Sequence, residues 1–434
     1  MAIELLVPTV FALMFVALLL GAHLGLAMSA AAIFGTSMLI GKDAALALAG
    51  ISVYESAQSF DLSVIPLFVL MGTFASRAGI SSDLFSAFNI WLRKRRGGLA
   101  HATIAACAAF GAVCGSSLAT AATMGKVALP EMQRFGYSGK LATGSVAAGG
   151  TIGILIPPSV IMLIYGILTE TSIGDLFIAG IIPGIILTLL FMLTVWFIIK
   201  LDPNAAPQVN DSPIDLPSES VLKKVWATLL LFALVIGGIY TGVFTPTEAS
   251  GFGAMGALVI GVIMRRLNLA AIGECLMETV QTTSMIFLIL IGAILFSAFV
   301  SLSGTPTLMG EWITGLDLTP LKTLIVIVIT YMLLGAFMDT LAMIILSVPI
   351  FFPIVSDLGY DPVWFGVLVV IVVELALITP PLGINVFVIK GMVKDVSLAQ
   401  VFAGVLPFCV ALILLIALVI AVPDVVMFLP NLAR

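Results

Sequence analysis

Charge is what this chain has least of. Only 9% of its 434 residues are charged, against 61% hydrophobic, and the mean hydropathy is +1.25. A soluble globule usually carries about 25% charged residues, so a water-exposed fold is excluded, and no nucleic-acid partner is expected. Histidine is nearly missing: His23 and His101 are the only two. The pair Gly115–Ser116 could suggest an intramembrane hydrolase, but neither histidine is placed to act as a base beside Ser116. Asp339 alone makes no aspartyl pair unless Glu374 helps, so an enzyme is not expected. The four cysteines, Cys107, Cys114, Cys275 and Cys409, lie inside apolar segments without CxxC or Cys/His spacing. They read as small buried hydrophobes. No Lys or Arg precedes the first apolar run, so the basic leader of a cleaved signal peptide is missing and the first span is expected to be retained.

What the chain has in abundance is apolar runs of bilayer length, about 17 to 25 residues each. Crossings are expected at 4–20, 22–40, 62–80, 141–168, 176–199, 223–243, 247–264, 284–303, 363–392 and 401–422. Two further apolar stretches, 100–132 and 323–356, are too long for one span and carry small polar residues at their middles. Each is expected to be a re-entrant hairpin, a form tolerated only where protein surrounds the exposed backbone.

The chain also repeats itself. Pro130 meets Pro353, Gly136 and Tyr137 meet Gly359 and Tyr360, and Pro157 and Pro158 meet Pro380 and Pro381, all at an offset of 223. One inserted residue later, Gly180 and Pro183 meet Gly404 and Pro407. An internal duplication explains this most economically. Each half then holds two spans, a connecting segment (44–60 and 268–283), a third span, a hairpin, a broken span and a last span. Five crossings per half is odd, so the second copy enters from the opposite face, giving inverted-topology repeats. The expected units are a first repeat at 1–200, a cytoplasmic linker at 201–222 and a second repeat at 223–434. The linker, "LDPNAAPQVNDSPIDLPSES", is rich in proline and acids and should be disordered or extended.

Fourteen of the Lys and Arg residues, including Arg93 to Arg96, Lys223, Lys224 and Lys390, fall on or near one face, while Lys42, Lys322 and Arg434 stay behind. The basic face is cytoplasmic by the positive-inside rule, which leaves both termini periplasmic. "DLFSAFNIWLRKRR" places Leu84, Phe88 and Trp91 on one helical face ahead of four basic residues, as suits a helix lying in the cytoplasmic interface.

The adjacent prolines in "GILIPPS" and "LITPPLGIN" are the sharpest local signal. Proline lacks a backbone donor and clashes with the preceding turn, so both helices should stop near Ile156 and Thr379 and restart beyond. Unsatisfied backbone groups in hydrocarbon cost several kcal/mol each, so such breaks survive only where protein, ion or substrate supplies partners. The two breaks are expected to meet near the midplane, each opposite a hairpin tip with small polar groups, "CGSSLAT" and "FMDTLA". Carbonyls around Gly153, Pro157, Pro380 and Gly383, hydroxyls of Ser116, Ser117, Thr340 and Thr379, the Asp339 carboxylate and Asn385 form hard oxygen sites suited to a small alkali cation. Helix N-termini at the tips and after the prolines offer N–H groups to an anion, for which Ser116, Ser117, Thr120, Ser159, Thr340 and Asn385 are the candidate contacts. The pairing argues for cation-coupled uptake of an organic anion. Plainer roles stand beside these: packing for the small hydroxyls, a helix cap for Asp339, a helix-to-helix bond for Asn385, and either an ion relay or bundle pairing for Glu374. Glu248 in "TPTE" is expected to close a capping box with Thr245.

At this point the residues resemble a family. "GSSLATAATMGKVALPEM", "GGTIGILIPPSVIMLIYG", "TPTEASGFGA", "GAFMDTLAMIILSVPIFFPIV" and "ELALITPPLGINVFVIKG" look like stretches of the large membrane subunit of tripartite ATP-independent periplasmic (TRAP) transporters. The likeness spans essentially the whole chain. It implies an elevator-type secondary transporter in the bacterial inner membrane, driven by sodium, fed by a soluble periplasmic substrate-binding protein and assembled with a separate small four-helix membrane subunit. A self-sufficient cation-coupled anion symporter of similar architecture is the alternative. One residue departs from the pattern: Lys126 lies in the first hairpin where a neutral residue is expected, about 15 Å of helix beyond Ser116, which carries it toward the interface where it can snorkel.

Overall fold

The computed structural model describes residues 3–92, 94–207, 219–305, 319–335, 338–380 and 383–433. Among them there is no β-strand. The first half runs α1 (Ile3–Leu19), α2 (Leu24–Ile40), α3 (Lys42–Gln58), α4 (Val64–Arg77) and α5 (Ile80–Leu92). A hairpin follows, α6 (Gly98–Cys114) and α7 (Ser117–Arg134), then a broken helix, α8 (Gly139–Leu155) and α9 (Val160–Thr169), and finally α10 (Ile173–Leu201). The second half opens with α11 (Glu219–Phe232), which continues through a π-turn, Ala233–Gly237, to Tyr240. It proceeds through α12 (Pro246–Ile263), α13 (Leu269–Leu302), α14 (Pro320–Leu334), α15 (Thr340–Asp357), α16 (Pro362–Ile378), α17 (Ile384–Met392), α18 (Leu398–Ala421) and α19 (Asp424–Ala433). The order of span, hairpin, broken helix and span thus recurs.

Among the described residues six stretches are long and apolar enough to cross a bilayer, the broken pair α8–α9 (Gly139–Thr169) counting as one of them, or seven if Lys42–Gln58 and Asp61–Arg77, bent by 61°, form one span. One of the six is α15, an arm of the second hairpin, and the expected crossings at 4–20, 22–40, 223–243 and 363–392 fall on shorter apolar helices.

The two connecting segments differ. In the first half α3 stops at Gln58, and Pro66 occupies the first turn of α4, where its missing N–H leaves no bond unmade. In the second half no proline lies between Leu269 and Leu302, so the segment expected at 268–283 runs straight into its span as one helix of 34 residues. The linker also departs from expectation at its start. Pro203–Ala205 form a 3-10 turn with Ala205 and Ala206 buried, and the turn is tied down by Ser138 N donating to Ala205 O and by Arg96 donating to Pro203 O. Residues 208–218 lie outside the described residues.

The centre of the molecule is built from α8 and α16, the helices that precede the breaks. Every residue from Leu141 to Leu155 and from Val363 to Ile378 is buried. A helix apolar on all faces belongs in such a position. The two are filled in different ways. α16 is a Val/Ile-rich rod, whereas α8 lets its neighbours approach to backbone distance through glycine. A Cβ on Gly144 would sit 2.3 Å from Gly404 O of α18, one on Gly149 2.8 Å from Cys107 Sγ of α6, and one on Gly150 2.7 Å from Ala121 Cβ of α7. Such small-residue contacts are how membrane helices gain close packing without a hydrophobic driving force. Around this centre, α2 crosses α13 through Gly25 and Gly292, and α4 lies between α12 and α13.

The hairpins pack crosswise. α7 of the first hairpin touches α17, the segment after the second break, while α15 of the second hairpin touches α9, the segment after the first. Tyr165 of α9 donates to Pro362 O at the start of α16 and packs edge-on against Phe352 of α15. Each hairpin therefore reaches across to the opposite half, an arrangement consistent with opposed insertion.

α5 carries the segment expected to lie in the cytoplasmic interface, and much of it packs against protein, with Ile80, Phe85 and Ala87 buried. Leu84 is buried, while Trp91 is exposed and packs edge-on against Phe88. Asp83 of α5 is buried and accepts both arms of Arg266, at 2.5 and 3.3 Å, while Arg266 also donates to Ala78 O. Arg266→Ala strands that carboxylate and should lower stability by about 2 kcal/mol, read as earlier thermal aggregation of purified protein. Arg266→Lys, which keeps the charge but not the fork, should lose less.

Candidate functional site

The first hairpin tip sits directly on the first break. Gly115, at φ +64°, ends α6, and a Cβ there would lie 2.6 Å from Pro158 O. Ser116 caps α7, its hydroxyl accepting from Ala119 N, and Ser159 caps α9 in the same way through Met162 N. Two helix N-termini thus begin at one place, with their positive ends and free N–H groups close together. One turn into each arm, Gly111 of α6 and Thr120 of α7 close on Gly153 of α8: a Cβ on Gly111 would be 2.4 Å from Gly153 Cα, and one on Gly153 2.7 Å from Thr120 Oγ1.

The prolines determine which backbone groups are left over. Pro157 and Pro158 bring no N–H to Gly153 O and Ile154 O, the carbonyls four residues back, and among the described residues no recorded hydrogen bond reaches either oxygen. Thr120 Oγ1 is also buried without a partner. Buried acceptors in this state are costly, and a small cation is the kind of ligand that would satisfy several at once.

The second break repeats the plan more loosely. Asp339 caps α15, accepting from Ala342 N at 2.9 Å, and Thr340 is buried behind it. Gly335, at the end of α14, meets Ala376 of α16 as Gly111 meets Gly153: an added Cβ would lie 2.2 Å from Ala376 Cβ. Thr379 ends α16, its hydroxyl donating back to Leu375 O at 2.6 Å, and Gly383 starts α17 from a left-handed conformation. No recorded hydrogen bond among the described residues joins Asp339 or Thr340 to Thr379, Pro380 or Gly383. The breaks also differ in cover, Pro157 being buried and Pro380 exposed, while Pro381 and Phe337 lie outside the described residues.

Three polar residues join the halves. Ser117 Oγ donates to Glu374 Oε2 at 3.1 Å, and Asn385 Nδ2 donates to Ser117 Oγ at 2.8 Å and lies 3.5 Å from Ala147 O. The sequence offered Ser117 and Asn385 as separate oxygen donors and left Glu374 between relay and bundle pairing; the structure makes them one chain. No spacing signal could have found a contact between residues 257 positions apart. Glu248 closes its capping box with Thr245. Lys126 is exposed and in no ion pair among the described residues, as suits a snorkelling side chain. A cavity of about 650 Å³ lies away from the breaks, at the opposite end of α8, among Tyr137, Lys140, Asp202, Asp395 and Gln400.

Residues 11–425 match the family model described as "Tripartite ATP-independent periplasmic transporter, DctM component". The chain belongs to this family. Among curated relatives, the C4-dicarboxylate TRAP transporter large permease protein of Pseudomonas aeruginosa is 37% identical over 91% of this chain and 92% of its own length. The sialic acid TRAP transporter large permease protein of Vibrio cholerae is 34% identical over 86% of this chain and 87% of its own. Among solved structures, the YdaH transporter of Alcanivorax borkumensis superposes with a TM-score of 0.65 at 16% identity, covering 88% of this chain and 89% of that one, a likeness of fold alone. This DctM component is a multi-pass membrane protein of a bacterial TRAP transporter and a permease subunit, not an enzyme.

Proposed function

We propose that this DctM component is the conducting subunit of a sodium-coupled importer of a small organic anion. The observation that carries the reading is the pair of unpartnered carbonyls, Gly153 O and Ile154 O, beneath a hairpin tip where α7 and α9 both begin. Carbonyl and hydroxyl oxygens suit sodium, and helix N-termini suit an anion, so one junction offers both charges a place. One sodium site is assigned to Ser116, Gly153 and Pro157 with neighbouring carbonyls, and a second to Asp339, Thr340, Thr379, Pro380 and Gly383. The C4-dicarboxylates, sialic acid and isethionate in the names of relatives are carboxylates and a sulfonate, which supports a substrate of the carboxylate, sialic acid or sulfonate class here. Ser117, Thr120, Ser159 and Asn385 are buried in the conformation seen, so substrate reaches them only in another. An elevator motion of the hairpins and broken helices, carried by the repeats 1–200 and 223–434, supplies that second state.

The basic face is cytoplasmic and both termini periplasmic in this reading, with the chain in the inner membrane. A small four-helix membrane subunit and a periplasmic substrate-binding protein complete the machine, as the word "tripartite" in the family description supports. Reconstitution tests it. Uptake of a carboxylate into liposomes should require both partners and an inward sodium gradient. Uptake by this chain alone would point instead to a self-sufficient symporter.

A further inference from the structure

The transport reading gives no part to Lys126, a cation on the helix that carries the first hairpin tip. Ser117, Thr120, Ala121 and Gly125 bury one side of α7 against α8 and α17. The other side bears Ala119, Ala122 and Lys126 at spacings of three and four residues, and continues through Pro130 and Gln133 toward the end of the helix. Ala122 is half-buried and the other four are exposed. The neighbouring walls, α4 and α13, are polar. A Cβ on Gly72 of α4 would lie 3.0 Å from Cys114 O, which sets α4 beside the hairpin tip. From that level toward the end of α4, Thr73 lies 3.4 Å from Thr279 of α13, Ser76 lies 3.4 Å from Thr123 of α7, and Arg77 pairs with Glu274 of α13 at 2.9 Å. Glu278 of α13 is exposed, in no ion pair among the described residues, and close enough for its charge to act on Cys114.

Charged and hydroxyl side chains at membrane depth face either protein or a water-filled space. Apolar outer surface on this chain looks different: the exposed face of α10 is Ile185, Leu189 and Leu193. The exposed stripe of α7 therefore borders an aqueous column that runs from the tip toward the basic end, with the polar groups of α4 and α13 on its flank. Its charges are ordered. A free carboxylate, Glu278, stands near the tip, and a free ammonium, Lys126, stands about 15 Å of helix beyond Ser116. Arg77 is already matched by Glu274. An anion leaving the tip has like charge behind it and opposite charge ahead, a field that draws it toward the mouth of the column.

We propose that Lys126 receives the organic anion on the cytoplasmic side, its ammonium engaging the carboxylate or sulfonate once the substrate has left the tip. The same contact serves in reverse, when substrate loads from that side. It needs a charge rather than a rigid fork, so arginine can replace the lysine and a neutral side chain cannot. The inference rests on the transport reading and deepens it by naming a substrate contact outside the hairpin tips.

The test is counterflow in liposomes holding this chain with its small membrane subunit, the binding protein being supplied outside only, so that molecules with their periplasmic face outward are read. The lumen is loaded with unlabelled succinate, sialic acid or isethionate, and entry of the same labelled compound is followed. Lys126→Gln should raise the half-saturating lumenal concentration about fivefold, the size of one water-exposed ion pair, and leave the external one unchanged. Lys126→Arg should stay within about twofold of wild type on both sides. A structural lysine would shift both sides together or neither, and either result overturns the proposal. Should Lys126→Gln fail to assemble, Ala122→Glu sets a neutralising carboxylate one turn nearer the tip beside the intact lysine. It should give the same one-sided rise, and wild-type behaviour there is equally fatal. A second measurement needs no substrate: in inside-out vesicles, Ala119→Cys should react with a membrane-impermeant maleimide through the column. An unreactive Cys there means that the stripe faces lipid, which removes the column and the proposal with it. Wild type that carries none of the three compounds sinks the transport reading instead, so the two failures are distinguishable.

Discussion

Gly115→Ala should reduce sodium-driven uptake to less than about a tenth of wild type, a far larger effect than a methyl group normally has. Two costs coincide at this residue. Its φ of +64° is left-handed, which an L side chain adopts at about 1 kcal/mol. More seriously, the new Cβ would lie 2.6 Å from the Pro158 carbonyl, a backbone atom fixed between the two prolines and the Ser159 cap. Relief requires the hairpin tip to withdraw from the break, which separates Ser116 from the unpartnered carbonyls of Gly153 and Ile154. Gly136→Ala isolates the first cost from the second: its φ is +76°, and nothing lies within 4 Å of the added atom. It should lose about 1 kcal/mol of stability and keep its uptake. Equal uptake in the two variants, both purified as intact monodisperse protein, would mean that contact between tip and break is unimportant for transport.

The breaks and hairpins were legible because their causes are local. Helices end at Leu155 and Ile378, just before Pro157 and Pro380, whereas the single prolines Pro130, Pro183 and Pro407 stay inside continuous helices, and the serine, aspartate and glycine at the tips are the residues that begin or end one. The smooth passage of 268–283 into its span was not legible, because the first copy has a proline at the corresponding joint and the second has none. Nor was the fate of Pro203–Ala205, whose burial depends on Arg96 and Ser138 arriving from elsewhere. Glu374 shows the limit best. Its position in an apolar run marked it as unusual, but its partners come from the other half of the chain and are set by how α7 and α17 cross α16 and α8. Likewise the glycines of α8 were visible as composition, while the neighbours each admits are a property of packing.

The two breaks also differ in a way their matching sequences conceal. The first is closed: Pro157 is buried, and α6 and α7 press on α8 through glycine. At the second, Pro380 is exposed, and among the described residues no hydrogen bond ties the Asp339 cap to Thr379. If the two breaks hold ions as proposed, the buried first one is preorganised, and the second is the natural place for occupancy to depend on what else is bound.

Asp339 is where that dependence can be measured, since it can serve as a cap, a sodium ligand or both. Asparagine at this position still offers an oxygen to Ala342 N and caps almost as well as aspartate, but it brings no charge. If the carboxylate completes the second sodium site, Asp339→Asn should raise the sodium concentration for half-maximal uptake about tenfold, equivalent to about 1.4 kcal/mol of ion affinity, with little change in thermal stability. Asp339→Ala removes the cap as well and should cost a further ~1 kcal/mol of stability at the start of α15. Asp339→Ser separates the roles again, restoring the cap without the charge, so it should regain the stability of the asparagine variant while keeping weak sodium dependence. Sodium dependence like that of wild type in Asp339→Asn would reduce Asp339 to a cap and leave the second site to hydroxyl and carbonyl oxygens alone.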